Sequence, residues 1–171
     1  MITSKIKHHF IKKKTGKLLK NLPLKVADVN KKINTVAIIT LDSSSKIHDF
    51  QEILIDKLQL RNPKIYSFRK FSKEDEKSYK HFSEMDFDIK GKVIEPSFQN
   101  FLEEPFNLLI CYFSKENLFL EYAALLSKAT FKVGFSEVNS NLFDIDIKTN
   151  EMEVDIFFEE LKKYLEILKK L

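Results

Sequence analysis

The chain has 171 residues, 43% hydrophobic and 32% charged, which suits one packed core and excludes a disordered or low-complexity chain. One cysteine excludes an internal disulfide and a cysteine-rich zinc site, and the three glycines (Gly16, Gly91, Gly134) cannot form a Gly-x-Gly-x-x-Gly or Gly-x-x-x-x-Gly-Lys-Ser/Thr phosphate loop. Charge is uneven: residues 1–32 hold ten lysines against one acid, Asp28, a net +9 in a chain of +4, so residues 33–171 carry −5.

The first 22 residues predict a helix with two apolar faces. Ile2, Ile6 and Phe10 follow one another at steps of four. Ile11, Thr15, Leu18 and Leu22 form the second face, with Leu19 beside it. This is either one helix with two contact faces or two short helices that bend near Thr15-Gly16, closed by Pro23. Lys5, Lys7, Lys12, Lys13, Lys14, Lys17 and Lys20 make it strongly basic. Such asymmetry points to a polyanionic partner. The two arginines, Arg61 and Arg69, lie outside this segment. A lysine is a point charge without the bidentate fork that reads base edges, so the arm suits electrostatic attraction over sequence readout.

The body alternates strands and helices. Val36 to Leu41 is a buried-strand run. Asp42 and Ser43-Ser44-Ser45 supply a turn and a helix cap, and Ile47, Phe50, Leu54 and Leu58 line the helix that follows. Ile65 to Phe68 is a second strand, and Lys92 to Glu95 a short third. Between them Lys70 to Lys90 shows no clear period; Lys73 to Lys77 suggests a helical turn, and Phe82, Phe87 and Ile89 suit a fold over the sheet. Pro96-Ser97 opens a short helix carrying Phe98, Phe101 and Leu102. Leu108 to Phe113 is the most hydrophobic strand, followed by a helix capped by Ser114. Phe131 to Phe135 is a strand, and Phe143, Ile145 and Ile147 alternate with Asp144 and Asp146 as an edge strand would. Asn150 and Glu153 form a capping box for a last helix that buries Phe157, Leu161, Tyr164, Leu165, Leu168 and Leu171. This alternation predicts an α/β fold: a Rossmann-like three-layer sandwich with a mostly parallel sheet in the order 3-2-1-4-5-6, preceded by a basic N-terminal helix. The division expected is a helical arm over 1–32 and one α/β domain over 33–171.

Open parallel sheets bind ligands beyond the strand C-termini where the strand order reverses. That crevice would gather Asp42, Ser43, Ser44, Ser45, Ser114 and Asn117, whose hydroxyls could hold an anion; helix capping accounts for the same residue types. No catalytic set is expected. His48 and Asp49 are helix neighbours and do not face each other. His8 and His9 sit among lysines, His81 is alone, and Cys111 reads as a small apolar filler in its strand. No cluster has metal-ligand spacing, and no cofactor is expected.

Phe106 to Phe135, FNLLICYFSKENLFLEYAALLSKATFKVGF, resembles the acceptor-binding half of heptosyltransferase-like glycosyltransferases of the GT-B type. The resemblance implies a strand–helix–strand unit of a Rossmann-like domain. Asn107 stands where that family usually has Asp, the first strand lacks its Gly-Asp loop, and no donor-binding domain accompanies this one, so neither glycosyl transfer nor nucleotide hydrolysis is expected. The basic N-terminal helix, PFNLLICYF, KATFKVGF and the KKYLEIL helix together resemble a family of small proteins of unknown function from Bacteroidota.

The expected function is a non-catalytic binding module whose lysine arm engages RNA or the ribosome. An anionic-membrane or protein-partner adaptor, and a small-ligand-binding or glycosyltransferase-like domain using the crevice, are the alternatives. The longest apolar run is far below the roughly 20 residues of a membrane span, and the N-terminus lacks the apolar region of a secretory signal. The expected location is the cytoplasm, peripheral to a larger assembly.

Overall fold

A computed structural model of the protein describes residues 2–22, 32–74 and 79–171. Pro23 and Asp28 lie outside the described residues, and the turn expected at 73–77 extends into 75–78, which also lie outside them.

Among the described residues six strands form one sheet: β1 (Val36–Leu41), β2 (Lys64–Phe68), β3 (His81–Phe82), β4 (Leu108–Tyr112), β5 (Phe131–Phe135) and β6 (Ile145–Ile147). Their order is β3-β2-β1-β4-β5-β6 and every neighbouring pair is parallel. The expected strand order is therefore found, with a different third strand. Residues 92–95 do not join the sheet, because residues 86–94 fold back on themselves. The Asp88 carboxylate accepts from the Lys90 and Lys92 amides, Gly91 takes a φ of 75°, and Ile94 N donates to Asp86 O. Phe87 and Val93 then meet in an isolated antiparallel bridge.

Helix α1 (Ile2–Lys20) runs unbroken through Thr15-Gly16. The Thr15 hydroxyl donates back to Ile11 O at 2.9 Å, which satisfies it in a buried position. Helices α2 (Asp42–Ile47) and α3 (Phe50–Leu58) replace the single helix expected after β1. The reason is local: Asp49, not a serine, accepts from the Gln51 and Glu52 amides and starts α3 afresh. Ile47 is consequently 62% exposed while Phe50, Leu54 and Leu58 are buried. Helix α4 (Pro96–Glu103) begins at its proline as expected, with the Glu95 carboxylate capping Phe98 N.

Helix α5 (Leu118–Leu126) is capped by Asn117 and not by Ser114. At its other end the Lys132 ammonium donates to the carbonyls of Ala124 and Ser127, which would otherwise lack partners. Helix α6 (Val154–Ile167) has no side-chain cap. The Glu153 carboxylate reaches back to Asn150 N, but the Asn150 side chain takes Met152 N, so only half of the expected box forms.

The sheet has an aromatic cluster on each face. On one, Tyr112 meets Phe50, Phe135, Phe157 and Phe158, under α3 and α6. On the other, Phe98 of α4 stacks on Phe82 at 4.2 Å and meets Tyr66 and Phe87, which reaches Tyr122 of α5. Helix α1 lies over α5 on this second face. Three of these side chains are buried phenols. Burial raises the pKa of Tyr66, Tyr112 and Tyr122 above the ordinary value near 10. A raised folded-state pKa means stability that is complete below pH 10 and lost as pH rises through the folded-state value. Alkaline titration followed at the phenolate absorbance should therefore show these three ionising only as the far-UV signal collapses. Early ionisation of all five tyrosines in a still-folded chain would contradict it.

Candidate functional site

The C-terminal ends of β1 and β4 bring Ser44 and Ser114 together, as the crevice expectation requires, and they converge on a carboxylate from the chain itself. Ser44 Oγ donates to Glu151 Oε1 at 2.5 Å, and Ser114 Oγ to Oε2 at 2.6 Å. Ser114 N approaches the same Oε2 at 3.4 Å. The Tyr112 hydroxyl, at the end of β4, donates to Glu151 O at 2.5 Å. The position at which an open parallel sheet would hold a ligand's anion is thus filled by the β6–α6 turn. Nothing in the sequence around Glu151 marks it for this place. It lies 107 residues from Ser44 and 37 from Ser114 along the chain, and only the sheet order brings the three together.

The remaining crevice residues part ways. Asn117 caps α5 through the Phe119 and Leu120 amides. Ser43 is exposed, and Ser45 Oγ donates to Asp42 O at 2.9 Å. Asp42 faces away from Glu151, towards β2 and β3. Its Oδ2 pairs with Lys46 at 2.7 Å, one turn along α2. Its Oδ1 lies 3.4 Å from His81 Nδ1, is closed to solvent, and accepts no hydrogen bond from the described residues.

A row across the sheet builds this second corner: Tyr112, Thr40, Ser67 and His81 are register partners on β4, β1, β2 and β3. Ser67 Oγ lies 2.5 Å from His81 Nδ1. Serine, histidine and aspartate are here in contact, but Ser67 and Asp42 both meet Nδ1. A proton relay to a serine nucleophile needs its partners on opposite ring nitrogens, and Ser67 is only 1% exposed. This set is not a nucleophile triad.

Asp42, His48, Ser67, Lys80 and His81 contribute to the wall of a cavity of about 650 Å³. A second groove, of about 750 Å³, lies along β2 and α4. Four of its polar groups serve one another: Lys64 pairs with Glu104 at 2.5 Å and Tyr66 with Ser97 at 2.6 Å. Asn107 lies at the opposite end of β4 from Ser114. Its Oδ1 accepts from the Asn34 and Thr35 amides, tying the start of β1 to the start of β4. Among the described residues no group of three or more His, Cys, Asp or Glu could hold a metal ion.

The other expected surface is α1. Ile11 is fully buried, Thr15 is 6% exposed, and Leu19 packs on the core. A Cβ on Gly91 would lie 3.0 Å from Ile11, so the β3–α4 loop is fitted against this face. Lys5, Lys12, Lys13, Lys14, Lys17 and Lys20 are exposed, and none forms an ion pair with the described residues. Lys7 is half-buried and donates to Glu84 O at 2.8 Å. Ile6 and Phe10, 39% and 41% exposed, share the outer face with Lys13 and Lys17 at helical spacing.

Residues 7–168 match the model of DUF6913, a family of unknown function. The match begins inside α1, so the family's unit takes in the helix as well as the sheet. No curated protein and no solved structure matches the chain.

Proposed function

We propose that this chain, which belongs to the DUF6913 family of unknown function, is a binding module that offers α1 to a polyanion, RNA or a ribonucleoprotein such as the ribosome. The observation that carries this reading is the division of labour within one helix. Ile11, Thr15 and Leu19 fix it to the domain, while six lysines stand in solvent on a helix without an acid. A helix held in place presents its charges without first having to order them. Phe10, exposed among the lysines with Ile6 beside it, suits unpaired bases, which stack on aromatic side chains. An interfacial membrane helix wants one broad apolar face and often a tryptophan anchor, and the chain has no Trp.

Among the described residues no helix is long and apolar enough to cross a membrane. A place in the cytoplasm, peripheral to a larger assembly, is what this reading implies. Glycosyl transfer is not part of it: the likeness over Phe106–Phe135 concerns β4, α5 and β5, and Asn107 is engaged in joining strands.

The test is a salt titration. Binding of a short single-stranded RNA should weaken linearly in log affinity against log salt. Changing Lys13, Lys14, Lys17 and Lys20 to Gln should flatten that slope by about 3, at roughly 0.7 for each phosphate no longer neutralised, with the far-UV spectrum unchanged. An unchanged slope, or stronger binding to anionic vesicles than to RNA, would overturn it.

A further inference from the structure

We infer that the cavity beside β1, β2 and β3 binds a small phosphorylated polyol. This goes beyond the polyanion reading and rests on a different part of the molecule.

The first observation is Asp42 Oδ1. It is sealed from solvent without a hydrogen bond, although Oδ2 of the same carboxylate is paired with Lys46. A buried acceptor without a donor costs about 1 to 3 kcal/mol, more for a charged group. His81 does not settle the matter, because its nearer nitrogen stands 2.5 Å from Ser67 and 3.4 Å from Oδ1. What the site lacks is an O–H or N–H donor at Oδ1.

The second observation is the chemistry of the rest of the wall. Lys46, His48 and Lys80 line the same cavity, from two separate segments of chain, with Asp49 beside them occupied in capping α3, and Lys46 and Lys80 are exposed at their own positions. These groups attract an anion, and two ammonium groups suit a phosphate dianion better than a single carboxylate. Pro63 and Ile65 add an apolar wall, against which the carbon face of a sugar can lie. The volume of about 650 Å³ falls within the range of small-ligand sites. A ligand that satisfies all three features carries hydroxyl donors at one end and phosphate at the other.

The experiment is NMR of the histidine side chains of the full chain, with ribose 5-phosphate, ribose and inorganic phosphate as probes. Ribose 5-phosphate should shift His48 and His81 saturably, with a Kd about tenfold below that of either half-probe. Asp42→Asn should weaken that binding about tenfold. Lys80→Gln, on an exposed residue, should weaken it as well and decides the matter if Asp42→Asn fails to fold. The inference is overturned by no saturable shift at about 10 mM probe, by phosphate alone binding as tightly, or by Lys80→Gln binding like the natural chain. Shifts at His8 and His9 alone would place phosphate on α1 and would overturn it too, while leaving the polyanion reading intact.

Discussion

Replacing Leu161 by alanine is expected to lower the unfolding free energy by about 2 to 5 kcal/mol. Leu161 is fully buried, with Phe157, Phe158 and Leu165 equally buried on the same helix. Helix α6 packs on α3, and its two phenylalanines sit against Tyr112 of the central sheet. Truncation there removes packed atoms and leaves a hole that rigid aromatic neighbours cannot close. Domains of this size are stable by about 5 to 15 kcal/mol, so the loss is a large part of the whole. Ile167, on the same helix, is 74% exposed. Its change to alanine should stay within about 0.5 kcal/mol. Urea unfolding of both variants checks the pair: equal midpoints would mean that α6 does not close the core.

Glu151→Ala should cost about 2 to 4 kcal/mol, since hydrogen bonds to a charged group are worth about 1.5 to 3 kcal/mol each and unpaired donors add their own penalty. The Ser44 and Ser114 hydroxyls lose the acceptor they share. Removing the carboxylate also leaves an opening of the right chemistry for an oxyanion, at the end of the sheet where one would be expected. Sulfate or phosphate should therefore restore part of the lost stability in Glu151→Ala and have less effect on Glu151→Gln, whose amide still fills the space. Thermal melts at matched ionic strength, with chloride as the control anion, separate this from general salt effects. Equal response of the two variants to sulfate would show that the serines do not form an anion seat.

The hydrophobic pattern was enough for the architecture. The β-branched and apolar run Val36–Leu41, the all-apolar Leu108–Tyr112 and the one-sided Ile145–Ile147 were legible as central and edge strands, because a strand's burial is written in its own residues. The third strand was not. With two residues, His81–Phe82 is too short to carry a period, and Lys92–Glu95 has the more strand-like composition, but the Asp88 turn folds it away. Caps mislead in the same way: Ser114 is a plausible N-cap, but the side chain that reaches two free amides belongs to Asn117. The site was less legible still. Glu151 meets Ser44, and His81 meets Ser67 and Asp42, through sheet order and register, and neither leaves a trace in local spacing. The lysine-rich helix was visible from composition alone, whereas which of its faces docks depended on α5. Of the second face, Ile11 and Thr15 are buried but Leu18 is 36% exposed, and Leu19 takes its place.

The seat of α1 is made late. Helix α5, on which α1 rests, begins at Leu118, about a hundred residues after Ile11. At a synthesis rate of about 5 to 20 residues per second, α1 is polymerised roughly 5 to 20 seconds before α5. During that interval the face bearing Ile11, Thr15 and Leu19 is as open as the face bearing the lysines. The nascent chain thus displays a basic segment with two apolar sides beside ribosomal RNA, and completion of α5 withdraws one of them.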